Sequence, residues 1–300
     1  SYVPGPIIPE HQTETDFTQT LTGIENLDAK YVAAGIVKDN GDYVFEKDSN
    51  ITIAGSEAAL DAKNNVVINA EGSNIHIVTN AEDDAAYAIK GTAGKDINIT
   101  ADRTVVNAIS TSGRADGIHM ENGNMTVNGA LNITAKGNGA IGVYANKGSQ
   151  TFNGDVKVDV DGKGGGWGYY GASGLYATSQ MNDSKGAEII VNGKVDLSGN
   201  GNGIFANSGG SKVTVQGGVI KVAQNDKGYS AIRAEDGTVN MNIKVDDAGQ
   251  ILGGSGNDVD IIGNVVAGTG AANENDKHGT KTAINLALDT EKSKLHGLIL

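Results

Sequence analysis

The chain has 300 residues, a formal net charge of −13 at pH 7 and no cysteine, which excludes disulfide staples and thiolate metal sites. The acidic balance argues against nucleic acid and anionic lipid as partners, because only Arg103, Arg114 and Arg233 offer guanidinium groups for phosphate. With 44 glycines, three prolines and 5% aromatic residues, the composition favours many tight turns and thin layers of aliphatic side chains.

Residues 1–48 contain all three prolines and lack the regular pattern that follows them. We expect this segment to form an N-terminal extension and cap. The rest of the chain, 49–300, is predicted to form one repetitive domain. No apolar run has the length of a membrane-spanning helix, so this segment is not expected to insert into a membrane.

A short motif of the form small-apolar-X-small recurs along the domain and serves as an anchor for the repeats. Its first residues are spaced by 29, 29, 25, 32, 29 and 28 positions. The copies are Ala59-Leu60-Asp61-Ala62, Ala88-Ile89-Lys90-Gly91, Gly117-Ile118-His119-Met120, Gly142-Val143-Tyr144-Ala145, Gly174-Leu175-Tyr176-Ala177, Gly203-Ile204-Phe205-Ala206 and Ala231-Ile232-Arg233-Ala234.

Two further short apolar segments follow each of the later anchors. The first ends in Asn-Gly or Gln-Gly, as in Thr126-Val127-Asn128-Gly129, and the second alternates apolar and polar residues, as in Leu131-Asn132-Ile133. Glycine and asparagine tolerate the positive φ that a tight corner requires. Each repeat is therefore predicted to contain three short strands.

Strands this short are stable only when they stack on copies of themselves, about 4.8 Å apart. The sequence thus predicts an all-β fold, a right-handed, single-stranded parallel β-helix (solenoid) with three strands in each turn. About nine turns would give a rod on the order of 40 Å long. A propeller needs about four longer strands per repeat, and leucine-rich repeats need a helical segment; neither pattern is present.

Two segments interrupt the repeats and are predicted to be loop insertions, near 162–173 and 268–281. The first falls in the repeat with the longest step and contains the only tryptophan, in the stretch GGGWGYYGASGLYA. At the end of the chain, KTAINLALDTEKSKLHGLIL again alternates apolar and polar residues without a polar cap. We therefore expect more chain to follow in the full protein.

The anchor and triplet motifs, with the cysteine-free acidic composition, resemble the passenger domains of type Va bacterial autotransporters. The resemblance covers most of the chain and is architectural, so it transfers no site motif. It implies a passenger fragment at the bacterial cell surface, anchored in the outer membrane by a C-terminal barrel that lies outside this sequence, or else secreted. Many such passengers are adhesins, self-association factors or toxins.

The X position of the anchor motif is expected to face outward and to form one vertical stripe, because equivalent positions stack in a parallel β-helix. It reads Asp61, Lys90, His119, Tyr144, Tyr176, Phe205 and Arg233. An exposed aromatic strip with a polar rim is typical of a recognition surface. Alternatively, stacked aromatics only make the sheet more rigid.

The loop near 162–173 supplies the other candidate binding residues, Trp167, Tyr169 and Tyr170, beside Tyr176. Together with Tyr144, Phe205, His119 and Arg233 they form the predicted ligand-binding set, suited to a sugar ring or a protein anchor. In the alternative arrangement the loop folds back and covers the stripe until something displaces it.

The sequence gives less support to an enzyme or a metal-binding protein than to a binding surface. Asp159, Asp161 and Asp196 fall within range of one another on adjacent turns, but no carboxylate pair stands beside a histidine or arginine in a converging arrangement. GGSGNDVDI, residues 253–261, matches the calcium nonapeptide of β-rolls only in part, since Asp260 replaces a large apolar residue. We expect no cofactor, no metal site and no catalysis.

The sequence therefore predicts a bacterial surface adhesin fragment that binds host or bacterial glycans or proteins without turnover. Self-association of two rods, driving cell aggregation and biofilm formation, is the first alternative. A polysaccharide lyase or hydrolase on a β-helix is the second.

Overall fold

The computed structural model describes residues 35–37, 42–45, 48, 50–163, 167–179, 185–268 and 282–300. This part of the chain is nearly all β and is dominated by one long, mainly parallel sheet, which confirms the predicted all-β class. Most of the expected N-terminal extension, 1–48, and of the 268–281 insertion lies outside the described residues, so the predicted division of the chain stays a prediction.

Twenty-four strands and one short 3-10 helix make up the described secondary structure. In chain order they are β1 (Gly35–Val37), β2 (Asp42–Phe45), β3 (Asn50–Gly55), β4 (Ala58–Asp61), β5 (Val66–Ala81), β6 (Ala86–Gly91), β7 (Ile97–Ser110), β8 (Ala115–Glu121), β9 (Met125–Lys136), β10 (Ala140–Asn146), β11 (Ser149–Phe152), β12 (Val156–Asp161), the 3-10 helix (Gly168–Gly171), β13 (Ala172–Thr178), β14 (Glu188–Val191), β15 (Val195–Asn200), β16 (Asn202–Val215), β17 (Gly218–Val222), β18 (Ile232–Met241), β19 (Ile243–Val245), β20 (Ile251–Gly254), β21 (Val259–Ile262), β22 (Val265–Gly268), β23 (Ala283–Leu286) and β24 (Lys294–His296).

The parallel pairings sort the strands into three series, in which each strand pairs with strands one repeat away. The first series contains the anchor motifs: β4, β6, β8, β10, β13, the first parts of β16 and β18, and β22. The second contains β2, the first parts of β5, β7 and β9, then β11, β14, the second parts of β16 and β18, and β23. The third contains β3, the second parts of β5, β7 and β9, then β12, β15, β17, β21 and β24.

Aliphatic ladders fill the core, because residues in register stack directly on one another. In the first series the ladder is formed by eight buried residues: Leu60, Ile89, Ile118, Val143, Leu175, Ile204, Ile232 and Val265. One position of the second series carries a polar residue where its neighbours in register are apolar. Gln150, in register between Met125 and Ile189, is fully buried, and neither polar atom of its side chain has a hydrogen-bond partner among the described residues.

The glycines of the anchor motif keep adjacent strands close together. A Cβ added at Gly117 would lie 2.8 Å from the carbonyl oxygen of Gly142, and one at Gly174 would lie 2.8 Å from that of Gly203. No real Cβ tolerates this approach, so the motif requires a very small residue wherever the next strand packs in this way.

The strands β19 and β20 form an antiparallel hairpin that sequence analysis did not predict. It exposes Val245, Ile251 and Leu252.

Candidate functional site

The predicted stripe is in register in the structure. His119 pairs with Tyr144, Tyr144 with Tyr176, and Tyr176 with Phe205. Asp61 and Lys90 precede them in the same register, and Arg233 follows. The rings stack as a consequence: the centroids of His119 and Tyr144 are 4.5 Å apart, and those of Tyr144 and Tyr176 are 5.7 Å apart. The predicted vertical alignment is confirmed.

The predicted exposure of the stripe is wrong. Tyr144 is 3% exposed, Tyr176 is 9% exposed and Phe205 is fully buried. These residues and Ile141 form a small apolar cluster of their own, outside the main core, against which Tyr169 and Tyr170 pack. The physical reason is that a strip of rings on a sheet surface removes more apolar area from water when a neighbouring segment covers it.

The covering segment is the 3-10 helix between β12 and β13, so for Tyr169 and Tyr170 the folded-back arrangement is the observed one. Both phenol hydroxyls donate to the carboxylate of Glu235, each over 2.8 Å. The guanidinium carbon of Arg233 lies 4.0 Å from the centroid of the Tyr169 ring. The side-chain amide of Asn202 donates to the Tyr169 carbonyl over 2.7 Å. The loop is therefore held by charge and hydrogen bonds as well as by ring packing.

Trp167 differs from its neighbours in the loop because its side chain is 78% exposed. It lies on the edge of a groove of about 330 Å³ between the loop and the stripe. The groove is lined by Arg114, Asn138, Gly139, Ile141, Tyr144, Trp167, Tyr170, Gly171, Tyr176, Thr178, Asn207 and Ser208. We call this the aromatic groove.

The aromatic groove brings together four of the eight predicted ligand-binding residues, Tyr144, Trp167, Tyr170 and Tyr176. The other four, His119, Tyr169, Phe205 and Arg233, do not line it, although each contacts a residue that does or the loop that forms its wall. Their role is to support the groove from behind, and direct ligand contact by them stays a prediction.

A buried polar network lies beside the aromatic groove. Arg114 donates to both carboxylate oxygens of Asp116, over 2.9 and 2.8 Å, and its guanidinium carbon lies 4.9 Å from the Tyr144 ring centroid. Burial alone would raise the pKa of Asp116, but the charge of Arg114 and the hydrogen bond with His119 outweigh it and hold the pKa below its usual value. The charge of Arg114 is thus compensated by the ionised carboxylate of Asp116.

His119 occupies the centre of this network. Its Nδ1 lies 2.7 Å from Asp116 and its Nε2 lies 3.1 Å from Glu121, so both bonds form fully only when both ring nitrogens carry hydrogen. Tyr87 and Tyr144 stack on its two faces at 4.1 and 4.5 Å. A histidine enclosed in this way has no free nitrogen directed at a substrate, which argues against a role as general base.

Sequence analysis missed Arg114, Asp116 and Glu235 as residues of the site. A signal was present in the sequence, because an arginine is followed two residues later by an acidic residue at two places. These pairs are Arg114 with Asp116 and Arg233 with Glu235. Residues separated by two lie on the same face of a strand, next to the aromatic column.

A second groove, of about 640 Å³, lies further along the same face and includes Tyr229, Arg233, His296 and Leu300. Among the described residues there is no group of three or more His, Asp or Glu side chains placed to hold a metal ion. Within the same ranges, no helix has the length and apolarity needed to span a membrane.

Comparison of the chain with family models, with curated proteins and with solved structures found no match.

Proposed function

We propose that the chain is a right-handed parallel β-helix with three strands per turn. The order of the strands supports this winding: β10, β11 and β12 belong to the first, second and third series, and β13 returns to the first. Nearly all connections between parallel strands in one sheet are right-handed, which gives the hand of the coil.

On this fold, the chain acts as an adhesin fragment similar to an autotransporter passenger. It lies at the bacterial cell surface or is secreted, and it binds host or bacterial surface ligands, glycan or protein, by noncovalent contact. The observation that carries the proposal is the aromatic groove, where an exposed tryptophan faces a wall of tyrosines. An exposed tryptophan with no cover is costly in water and is the type of side chain that dominates binding energies.

A binding screen tests the proposal directly. The labelled protein is applied to a glycan array, to a panel of host surface proteins and to bacterial cells, alongside Trp167→Ala and the control Leu252→Ala. Leu252 is also an exposed apolar residue, on the β19–β20 hairpin, and it does not line the groove. We expect Trp167→Ala to weaken binding about tenfold or more and Leu252→Ala to leave it unchanged. Absence of binding in all three formats would refute the adhesive role.

Self-association is a second candidate because a ladder of amides runs along one face. Asn153 donates to Asn128 over 2.7 Å and Asn192 donates to Asn153 over 2.8 Å, with Asn153 and Asn192 exposed to solvent. Regular exposed amides suit side-by-side contact between two copies. Sedimentation equilibrium tests this: self-association predicts dimers that Asn153→Lys abolishes and Trp167→Ala preserves, and a monomer at all concentrations would exclude it.

A further inference from the structure

We infer that the aromatic groove takes one neutral sugar ring of an uncharged glycan. This inference rests on the proposed function and adds the chemical class of the ligand. It selects glycan over protein and uncharged over acidic sugars.

The size of the groove favours a small ring over a protein surface. Its volume of about 330 Å³ is at the lower end of the range of roughly 300–1,000 Å³ found for small-molecule sites. A stable protein partner would need roughly 800 Å² of contact on each side, which a groove of this size does not supply.

The tyrosines that line the groove are already engaged within the protein, because Tyr144 and Tyr176 stack on one another with centroids 5.7 Å apart and the hydroxyls of Tyr170 and Tyr176 are hydrogen-bonded. The Tyr170 hydroxyl donates to Glu235 over 2.8 Å, and the Tyr176 hydroxyl accepts from the side-chain amide of Asn207 over 2.8 Å. An aromatic face carries partial negative charge. The exposed ring of Trp167 is therefore the aromatic surface left for a ligand, and it would attract the polarised C–H groups on the face of a pyranose.

Neutral hydrogen-bonding groups are among the residues that line the groove, and sugar hydroxyls could pair with them. Asn138 is exposed, and within the described ranges its side-chain amide makes no hydrogen bond, so it offers both donors and an acceptor. The Ser208 hydroxyl donates to the side-chain amide oxygen Oδ1 of Asn207 over 3.1 Å and keeps its own oxygen available as an acceptor. An apolar ligand would leave these groups unsatisfied.

The charge of the groove argues against an acidic sugar. Arg114 is the only basic residue among those that line it, and its charge is compensated by Asp116, to which it donates two hydrogen bonds. A carboxylate on the ligand would therefore meet no uncompensated cation. It would also approach a chain whose formal net charge is −13.

The test uses pairs of oligosaccharides of which one member is neutral and the other acidic: galactose-terminated chains with and without a terminal sialic acid, and galactan beside polygalacturonate. Binding is measured by calorimetry at low and high salt for the native protein, Trp167→Ala, Asn138→Ala and the control Leu252→Ala. We expect the neutral member of a pair to bind at least tenfold more tightly than the acidic one. Its Kd should change less than about twofold with salt, and Trp167→Ala should weaken it about tenfold or more.

Each outcome bears on one claim. Preference for the acidic member, or binding that salt abolishes, overturns the neutral-sugar inference and leaves the adhesive function standing. If the protein binds only host proteins, and Trp167→Ala abolishes that binding, the neutral-sugar inference is likewise overturned and the adhesive function stands. Equal affinity of the native protein and Trp167→Ala for a neutral glycan removes the groove as its site. Failure to bind any glycan, protein or cell overturns the proposed function together with the inference.

Discussion

The Glu235 carboxylate binds both tyrosines of the loop that forms one wall of the aromatic groove, and Tyr170→Phe should release this loop in part. This substitution removes the hydroxyl that donates to Glu235 over 2.8 Å and keeps the ring that packs against Phe205. Glu235 retains Tyr169 and Arg233 as partners, so the change leaves no unpaired buried charge.

The expected magnitude follows from the type of bond. A hydrogen bond to a charged group contributes about 1.5–3 kcal/mol, and the loss should fall on the local opening of the loop, because the stacked strands beneath do not depend on this contact. Since each 1.4 kcal/mol corresponds to about a factor of ten, amides of the loop should exchange roughly 10- to 150-fold faster.

Hydrogen exchange followed by mass spectrometry measures this opening. The relevant peptide covers residues 167–171, where the Tyr170 amide donates to the Trp167 carbonyl over 3.2 Å. Tyr87→Phe is the matched control, because Tyr87 stacks on His119 while its hydroxyl makes no hydrogen bond within the described ranges. Unchanged protection of 167–171 in Tyr170→Phe, or equal acceleration in the control, would refute the view that Glu235 holds the loop.

Three further outcomes are expected. Gln150→Met should raise the free energy of unfolding by about 1–3 kcal/mol, seen as a higher denaturant midpoint, because it removes a buried amide with no partner; a lower midpoint would point to a hidden partner. Gly142→Ala should cost about 1–3 kcal/mol in the same assay, because its Cβ would contact Val158 and the Gly174 carbonyl, and a neutral effect would argue against the close approach of these strands. Burial raises the pKa values of Tyr144 and Tyr176, so their contribution to stability is present below pH about 10 and declines as pH rises above it. Melting temperature should fall there, and the phenolate absorbance that is lost in a Tyr144→Phe, Tyr176→Phe variant should appear only as the protein unfolds; its appearance in the folded protein at pH about 10 would contradict this.

The vertical alignment of side chains could be predicted from sequence because it depends only on the repeat. Once the anchors are equated, Tyr144, Tyr176 and Phe205 must be neighbours, and pairing in register follows from the backbone geometry of stacked strands. The same reasoning locates the aliphatic ladders of the core.

Exposure could not be predicted in this way, because it depends on contacts that the repeat does not encode. Tyr169 and Tyr170 bind the loop to Glu235, which lies 66 and 65 positions away from them in the chain. Local pattern alone gives no sign that this acid, and not solvent, will accept the phenol protons. Gln150 is a similar case: the alternation of strand residues directs position 150 inward whatever side chain it carries.

The link from Tyr169 and Tyr170 to Glu235 skips one repeat, since the loop precedes β13 and the acid lies in β18, two anchors later. Pairing of neighbouring strands in each series needs only residues one repeat away, whereas this wall of the aromatic groove needs a residue two repeats away. A chain shortened before β18 would therefore keep the stacked aromatic residues but lose the carboxylate that binds Tyr169 and Tyr170.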